Sequence, residues 1–555
     1  MALTILMFYT RRPDFTPAQY REHMESKYLP IVKEVMGCQI PVMTTLRYVE
    51  RCGSGFGDRL GATLASKYRN DENAPVLLVG YPKDLGWDAM VEMSFKDDLH
   101  LMQGYAATNS AEGQRIRDAE EEFTVPDAME VVLMDRVFLT DRKEDEEESA
   151  MRKCKNGVVF PNRLVKAAMA EDMAKNADPG EEHIAAYSRW GSGGWGSLLT
   201  GNVEVSSRYR GSFGSVVAKP SIPESTRKVW ERWASASQEE GTPTLVQLVH
   251  PGRQSLPKAG DRGFFEPTIA PSPVPLNIGS GLLERAVQKI AFGTPREMTV
   301  ADIEEVIDQF AYAAKVSYEA GFKGVELHGA HGYLLSTFLT ARTNLRADDY
   351  GGTPAKRARI VIEVIRAIRK VVPASFCVGM KINSADVGGN ESLEESLEQV
   401  GLIAAEQIDF LEISGGSYEK PRMAAGDGGT RSEKREAFFL DYAAAVRERY
   451  PNIILMVTGG SRSRAGMEAA LQSGACDLVG IGRPAAVWPH LPKEILLNEK
   501  VEETAAVKKL TTLRLPWLLR MIPIKFIGAG ADTMYYAKQI QAFALGRIPQ
   551  PPPSH

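Results

Sequence analysis

Two histidines and a tyrosine lie close together in the segment Gly324–Tyr333, namely His328, His331 and Tyr333. Neutral imidazoles can donate N–H hydrogen bonds to a substrate oxygen and polarise it, and a neighbouring phenol can supply a proton. A zinc site would need a third ligand, and none stands at recognisable spacing nearby. A packed structural pair is the other alternative. We favour histidines that bind a substrate oxygen, with Tyr333 as general acid.

Two glycine-rich turns, each followed by an arginine, indicate a phosphate site. They are Gly459-Gly460-Ser461-Arg462 and Gly482-Arg483. Glycine lets backbone N–H groups approach an anion closely, a following helix N-terminus adds positive potential, and arginine can bind two phosphate oxygens at once. One such turn alone is more often a plain tight turn. Two turns at the ends of neighbouring strands favour phosphate binding.

Gln247 and Lys381 are an amide and a cation near the ends of two further apolar runs. A reduced flavin ring carries negative charge at its pyrimidine end, which a cation stabilises, and an amide can recognise its imide edge. Most lysines lie at the surface, so a surface position is the alternative for Lys381. Near the end of a buried strand, a role beside a flavin is the better interpretation.

The elements that must position these residues are strands that alternate with amphipathic helices over about 400 residues, the pattern of parallel β/α units. Eight apolar runs of strand type occur: Arg163–Ala168, Ser197–Asn202, Thr244–Val249, Gly324–His328, Val378–Asn383, Phe410–Ser414, Ile454–Thr458 and Leu478–Gly482. Eight such units close most simply as a (β/α)8 TIM barrel, whose active site lies at the C-terminal strand ends. An open doubly wound sheet is the alternative, but no GxGxxG follows the first strand.

The N-terminal block has a different pattern, β-α-β-β-α-β, which is that of a ferredoxin-like α+β module. Thr16-Pro17-Ala18-Gln19 has the form of a capping box and predicts a helix start. The predicted strands are Leu3–Thr10, Thr44–Val49, Val76–Tyr81 and Met129–Leu139, and further helical stretches are predicted at about Leu85–Tyr105 and Ala111–Phe123.

The segment Asp141–Ser149 has eight charged residues out of nine and nothing to bury, so it is typical of a solvated linker. The sequence therefore predicts three parts: an N-terminal domain over residues 1–140, a charged linker over 141–152 and a barrel over 153–555. A charged loop within one domain is the alternative.

Composition excludes several classes of protein. The chain has 555 residues with 66 Lys+Arg against 71 Asp+Glu, a net charge of −5, and no basic block that would bind nucleic acid. Its five cysteines form no CxxC pair, which argues against disulfide, zinc and iron–sulfur frameworks and favours a reducing compartment. No apolar stretch is long enough for a membrane span. We expect a cytoplasmic protein with neither a nucleic acid nor a membrane as partner.

Residues from about Gly157 to Ala544 resemble the old yellow enzyme family of FMN-dependent ene-reductases. Six motifs in family order carry the resemblance: Phe160–Met169, Gln247–Gln254, Gly324–Tyr333, Asn344–Gly352, Asn383–Asp386 and Asp477–Arg483. The resemblance implies a barrel with non-covalent FMN, which is reduced by NAD(P)H and reoxidised by an electron-poor alkene.

The resemblance also implies roles for single residues. His328 and His331 would bind the activating oxygen of the substrate, and Tyr333 would protonate its α-carbon. Gln247 and Lys381 would hold the isoalloxazine ring. The phosphate would lie at Gly459, Gly460, Gly482 and Arg483. Ala168 and Ala170 would adjoin the flavin where the family usually has Pro and then Thr or Cys, so flavin tuning is expected to differ here.

The first block, about Leu3–Leu139, resembles an EthD-type domain of the dimeric α/β-barrel superfamily. The residues that carry this resemblance are Arg12-Pro13, Thr16–Tyr20, Pro30, Trp87-Asp88 and Asp118–Phe123. Such a domain implies a homodimer that pairs sheet against sheet, or a second catalytic step. The acid/base candidates for that step are His23, Tyr28 and His100, where Tyr28 replaces the histidine usual in the family.

Three functions are compatible with these observations. The first is NAD(P)H-driven reduction of an activated C=C bond in an enone-type small molecule, in fungal secondary metabolism. The second is a flavin-dependent isomerase or dehydrogenase, with the EthD-type domain performing a further isomerisation or dehydration. The third is a non-catalytic scaffold, against which the intact His328, His331, Tyr333 and Gly482-Arg483 argue.

Overall fold

The structure is a computed structural model that describes residues 3–41, 43–49, 86–95, 98–134, 152–153, 157–279, 281–384, 392–415, 430–460, 463–508, 510, 513 and 525–553. The chain divides into two compact units, Met1–Asp141 and Arg142–His555. We call them the N-terminal unit and the C-terminal unit. The predicted strand Val76–Tyr81 and most of the predicted linker lie outside the described residues.

The N-terminal unit is an antiparallel sheet with helices. Its strands are β1 (Leu3–Tyr9), β2 (Met43–Tyr48), β3 (Ala89–Phe95) and β4 (Glu130–Met134), and its helices are α1 (Pro17–His23), α2 (Leu29–Met36), α3 (Asp98–Thr108) and α4 (Gln114–Glu121). The strand order in the sheet is β2-β3-β1-β4. That order belongs to the ferredoxin-like α+β module that the sequence pattern predicts.

Local chemistry explains where α1 begins. The Thr16 side chain accepts a hydrogen bond from the Gln19 backbone N–H at 3.2 Å, and the Gln19 side chain accepts one from the Thr16 N–H at 3.0 Å. Pro17 stands in the first turn, where its missing N–H costs nothing. The capping box predicted from the sequence is therefore confirmed.

The prediction of one helix over Leu85–Tyr105 is wrong, because Ala89–Phe95 forms strand β3 and helix α3 begins only at Asp98. Strand β3 pairs with both β1 and β2 in antiparallel register, for example Leu6 with Glu92 and Leu46 with Val91. The segment Ala89–Phe95 has an apolar residue at every second position, a pattern typical of a half-buried strand, and this signal was missed.

The C-terminal unit contains a closed barrel of eight parallel strands. They are β5 (Leu164–Lys166), β6 (Ser197–Glu204), β7 (Thr244–Val249), β8 (Gly324–Gly329), β9 (Cys377–Asn383), β10 (Phe410–Ser414), β11 (Leu455–Thr458) and β12 (Leu478–Ile481). Each strand pairs with the next one along the chain, including β6 with β7. The last strand, β12, pairs with the first, β5, and this closes the ring. The (β/α)8 fold class predicted from the sequence is confirmed.

Helices surround the barrel and connect its strands. They are α5 (Glu181–Gly191), α6 (Glu224–Ser237), α7 (Leu282–Ala291), α8 (Val300–Glu319), α9 (Leu334–Leu339), α10 (Pro354–Val371), α11 (Leu393–Ala405), α12 (Thr430–Arg449), α13 (Arg464–Gln472), α14 (Arg483–Val487) and α15 (Lys525–Ala544). Thr299, Thr353, Ser392 and Ser463 cap four of them with side-chain oxygens. No helix in the described part of the chain is long and apolar enough to cross a membrane.

The side chains that point into the barrel are apolar near the strand starts and polar further along the strands. Near the strand starts, a buried cluster fills the barrel interior with Val165, Leu199, Leu245, Cys377, Phe410, Met456 and Leu478. Side chains two residues further along a strand point to the same side. The interior above this cluster therefore receives Gln247, Glu326 and Glu412, and the polar site begins there.

Candidate active site

Three site residues predicted from the sequence lie together at the ends of neighbouring strands. His328 on β8 stands opposite Lys381 on β9 in the parallel register, and Lys381 stands opposite Glu412 on β10. His331 follows β8 in a backbone conformation with φ +60°, a value that residues other than glycine rarely adopt. That turn brings the His331 ring back toward His328, and the two ring centroids lie 4.9 Å apart.

The hydrogen bonds around the two histidines determine the position of each proton. His328 Nδ1 accepts from the Ala330 backbone N–H at 3.3 Å, so the proton of a neutral His328 is on Nε2. That Nε2 lies 3.2 Å from His331 Nδ1, which must then accept. His331 therefore has its own proton on Nε2, which lies 3.3 Å from Ser414 Oγ.

Burial keeps both rings neutral. It holds the pKa of His328 and that of His331 well below the ordinary value of 6.5, and positive charge on Lys381 acts in the same direction. The side chains are buried, at 3% and 8% exposure. Two neutral imidazoles, each with an N–H on Nε2, can donate to oxygen acceptors.

Tyr333 lies against the same histidines, since its ring centroid is 4.6 Å from that of His328. Its hydroxyl oxygen accepts a hydrogen bond from Asn202 Nδ2 at 3.3 Å. Asn202 belongs to β6 and Tyr333 caps the start of α9, so the contact joins two elements that are distant in sequence. Accepting this bond uses a lone pair of the phenol oxygen and leaves its proton for another acceptor.

A charged network fills the barrel below the histidines. Gln247 Nε2 donates to Glu326 at 2.5 Å, and Lys381 Nζ forms an ion pair with Glu412 at 2.7 Å. Burial, followed by the Glu412 charge, raises the pKa of Glu326 well above 4.5. Of the two carboxyls, Glu326 is therefore the one whose neutral form is favoured, while Glu412 pairs with Lys381.

The predicted phosphate turns lie at the ends of two neighbouring strands. Gly459 and Gly460 have φ values of +127° and +101°, which glycine tolerates best. A Cβ on Gly482 would meet the Met169 side chain at 3.8 Å, which is ordinary van der Waals contact without a clash. Arg483 Nη1 lies 3.3 Å from Asp532 on α15. Ser461 and Arg462 lie outside the described residues.

Ala168 and Ala170 follow the first barrel strand and are both half-buried, and Ala168 packs against the apolar cluster of the interior. The next residue, Glu171, was not predicted as a site residue. Its carboxylate accepts from the Gly201 backbone N–H at 2.7 Å and from the Tyr187 hydroxyl. Glu171 therefore binds the middle of β6, at Gly201, from the residue that follows Ala170.

Lys166 lies on β5, close in sequence to Ala168 and Glu171, and it was not predicted as a site residue either. It is fully buried, its Nζ donates to the Leu199 carbonyl at 2.7 Å, and it lies 4.2 Å from the Trp190 ring centroid. Burial lowers its pKa to about 8, against the opposing effect of Glu171. The only sequence signal was a lysine inside an apolar run.

Residues 153–501 match the family model described as the NADH:flavin oxidoreductase / NADH oxidase family, and residues 12–127 match the EthD domain model. A protein named NADH-dependent flavin oxidoreductase iliE, from Hypocrea jecorina (strain QM6a), is 43% identical over 384 residues. That match covers 68% of this chain and 96% of the relative.

A protein of the same name from Neonectria sp. (strain DH2) is 45% identical over 424 residues, which cover 72% of this chain but only 55% of the relative. Among solved structures, a 2-naphthoyl-CoA reductase in complex with 2-naphthoyl-CoA aligns with a TM-score of 0.57 and 25% identity. The alignment covers 65% of this chain and 53% of that one.

Proposed function

Because the chain belongs to the NADH:flavin oxidoreductase / NADH oxidase family, we propose that it reduces the activated C=C bond of an unsaturated carbonyl compound. FMN is the cofactor in this proposal, and a reduced nicotinamide is the electron donor. The observation that carries the proposal is the group of His328, His331 and Tyr333 at one barrel mouth. Similarity to fungal flavin oxidoreductases supports a role in fungal secondary metabolism.

The residues at the mouth fit FMN. At the phosphate end, Gly459 and Gly460 have positive φ, and Arg483 places a guanidinium group, one nitrogen of which pairs with Asp532, next to Gly482. At the ring end, Lys381 provides buried positive charge and Gln247 an amide. When bound, FMN supplies hydride chemistry between the nicotinamide and the substrate.

The protein's own residues would bind and orient the substrate. Its carbonyl oxygen would replace His331 Nδ1 and Ser414 Oγ as the acceptor of the two imidazole N–H bonds. Because both rings are buried and neutral, these donors polarise the carbonyl without transferring a proton to it. Tyr333 would then give its hydroxyl proton to the carbon next to the carbonyl, while Asn202 holds the phenol oxygen in place.

The test is a spectrum of the purified full-length protein, followed by anaerobic kinetics. We expect flavin absorbance from non-covalent FMN, bleaching with NADH or NADPH, and recovery on addition of cyclohex-2-en-1-one, with cyclohexanone as product. A protein that binds no FMN, or one whose bleached form does not respond to any of a panel of enones, would contradict the proposal.

For the N-terminal unit we propose a homodimer that pairs sheet against sheet. Tyr9 and Val91 face the helices, since both belong to the buried core with them. Strand alternation then places Leu6 and Phe8 on the opposite face, together with Val132, which pairs with Leu6. The same face also carries Glu92, which pairs with Leu6, and Glu130, which pairs with Phe8. A second copy that covers this face would bury its apolar residues and leave the glutamates at the edge of the contact or paired.

A further inference from the structure

A polar cluster lies in the core of the N-terminal unit, apart from the barrel. Its members are Tyr9 on β1, Tyr20 and Tyr28 from the first helical segment, and Glu120 on α4, all at 7% exposure or less. Tyr9 Oη lies 3.2 Å from Tyr28 Oη, and the Tyr28 hydroxyl donates to Glu120 Oε2 at 3.4 Å. Two hydroxyls and a carboxyl are thus linked in the core, and the Tyr20 ring packs beside Tyr28 against Phe123.

Two atoms of this cluster have no hydrogen-bond partner among the described residues, namely Tyr20 Oη and Glu120 Oε1. A buried polar atom without a partner costs about 1–3 kcal/mol, and native proteins rarely keep two in one place. The polar atoms of a bound ligand would satisfy both. Fold stability alone gives no reason to bury these groups together.

The walls around these atoms are aromatic. Phe123 packs with ring centroids 5.3 Å from Tyr20, 5.6 Å from Tyr28 and 4.7 Å from His23. The segment Met24–Tyr28 is a turn of π-helix, a rare element found often at functional sites. Flat apolar walls with polar atoms between them suit a planar molecule that carries an oxygen.

A groove of about 290 Å³ lies on the N-terminal unit near the cluster. Its lining residues are Asp14, Phe15, Gln19, Glu22, His23, Ser26 and Lys27. His23 also packs against Phe123, which contacts Tyr20 and Tyr28 of the cluster. A ligand would reach the cluster from this groove only if the His23 and Phe123 rings moved.

We propose that this cluster is a second active site, an acid–base site that moves the double bond of a planar, enolisable unsaturated ketone. The Glu120 carboxylate removes a proton from the carbon between C=O and C=C, and the C–H electron pair passes into a dienolate. The Tyr20 hydroxyl donates a hydrogen bond to the dienolate oxygen. Glu120 then returns the proton to the far carbon, so the product is a conjugated isomer and no oxidant or reductant is needed.

The acid–base properties of the cluster agree with this role. Burial raises the pKa of Glu120 to about 7, and the hydrogen bond from Tyr28 opposes the rise. A group with that pKa can both accept and return a proton near neutral pH. Burial also raises the pKa of Tyr20 and that of Tyr28, so both hydroxyls keep their protons and remain donors.

The test uses the full-length protein, without nicotinamide, and follows the conversion of cyclohex-3-en-1-one to cyclohex-2-en-1-one by ultraviolet absorbance. We expect the wild-type protein to accelerate the conversion over buffer and Glu120→Gln to lose about 100-fold of that rate. Glu121→Gln, which changes an exposed neighbour, should keep the wild-type rate. Tyr20→Phe should show an intermediate loss.

Two results would overturn the proposal: no acceleration by the wild-type protein, or an unchanged rate in Glu120→Gln. Tyr28→Phe provides a second variant if Glu120→Gln fails to fold, and it should also lower the rate. NADH-driven reduction of cyclohex-2-en-1-one should be equal in wild type and Glu120→Gln. Failure of the barrel function and failure of this site can therefore be told apart.

Discussion

His328 Nε2 lies 3.2 Å from His331 Nδ1, and this contact makes the two imidazoles one directional chain. The chain begins at the Ala330 backbone N–H and ends at Ser414 Oγ, with every donor matched to an acceptor. A substrate oxygen that enters must replace acceptors already present in the protein. Binding is therefore an exchange of hydrogen bonds, which favours a strong acceptor such as a conjugated carbonyl.

We expect Ser414→Ala to lower the free energy of unfolding by about 1–3 kcal/mol, because the buried His331 N–H loses its acceptor. Ser414→Thr keeps the hydroxyl and is the matched control. Urea unfolding gives the stability, and ¹⁵N NMR of the imidazoles reports the tautomers. An alanine variant with unchanged His331 nitrogen shifts would disprove the chain.

Tyr333→Phe should slow reoxidation of the reduced enzyme by an enone about 100-fold or more, because the proton donor is lost. Reduction by NADH should stay near the wild-type rate. Stopped-flow measurement of the two half-reactions separates these effects. Tyr318→Phe changes an exposed tyrosine on α8 and should leave both rates unchanged. Equal reoxidation rates in Tyr333→Phe and wild type would remove Tyr333 as the acid.

Lys381→Met should lower the free energy of unfolding by about 3 kcal/mol, because it removes one partner of a buried ion pair with Glu412. Glu326→Gln should cost less than Lys381→Met, since burial and the Glu412 charge raise the pKa of Glu326 and favour its neutral form. Urea unfolding measures both changes, with the exposed Lys370→Met as control. A large loss in Glu326→Gln would show that Glu326 is ionised.

The N-terminal unit should lose stability as pH rises from about 4.5 to 7. The folded pKa of Glu120, about 7, lies above its ordinary value of 4.5, so the folded state binds more protons in that window. The loss is at most about 3 kcal/mol. Hydrogen exchange of the β1 and β3 amides, corrected for intrinsic rates, should show it. Glu120→Gln should be insensitive to pH in this window, and Glu121→Gln should behave as wild type.

Val132→Lys should convert the homodimer to a monomer, because it places a charge on the sheet face that a second copy would cover. Val131→Lys is a matched control, since Val131 pairs with Met7 and lies on the helix-facing side of the same strand. Analytical ultracentrifugation gives the mass of each variant. If Val132→Lys remains a dimer, or if Val131→Lys alone dissociates, the dimer does not use this face.

Much of the barrel could be predicted from the sequence because buried parallel strands appear as continuous apolar runs. Thr244–Val249 and Phe410–Ser414 were predicted with the bounds that the structure has. The candidate site could be located for the same reason, since its residues close those strands. Strand Ala89–Phe95 was missed although its apolar residues alternate, while its antiparallel pairing with β1 and β2 could not be predicted from the local sequence.

The hydrogen bonds that connect the site residues could not be predicted from the sequence. The bond between His331 and Ser414 joins residues 83 positions apart and needs the positive φ of His331. The contact of Asn202 with Tyr333 spans 131 positions. The roles of Lys166 and Glu171 follow from their burial and from hydrogen bonds to residues on other elements. A local sequence pattern does not predict such contacts.

The ion pair between Arg483 and Asp532 also determines how much of the chain a gene fragment must encode to build the complete site. Similarity to the family model stops at residue 501, yet Asp532 lies 31 residues further on, buried in α15. A gene fragment cut where the family model ends would encode every motif residue up to Arg483 and still leave Arg483 without its carboxylate. The part of the chain that the family model matches is therefore shorter than the part that builds the site.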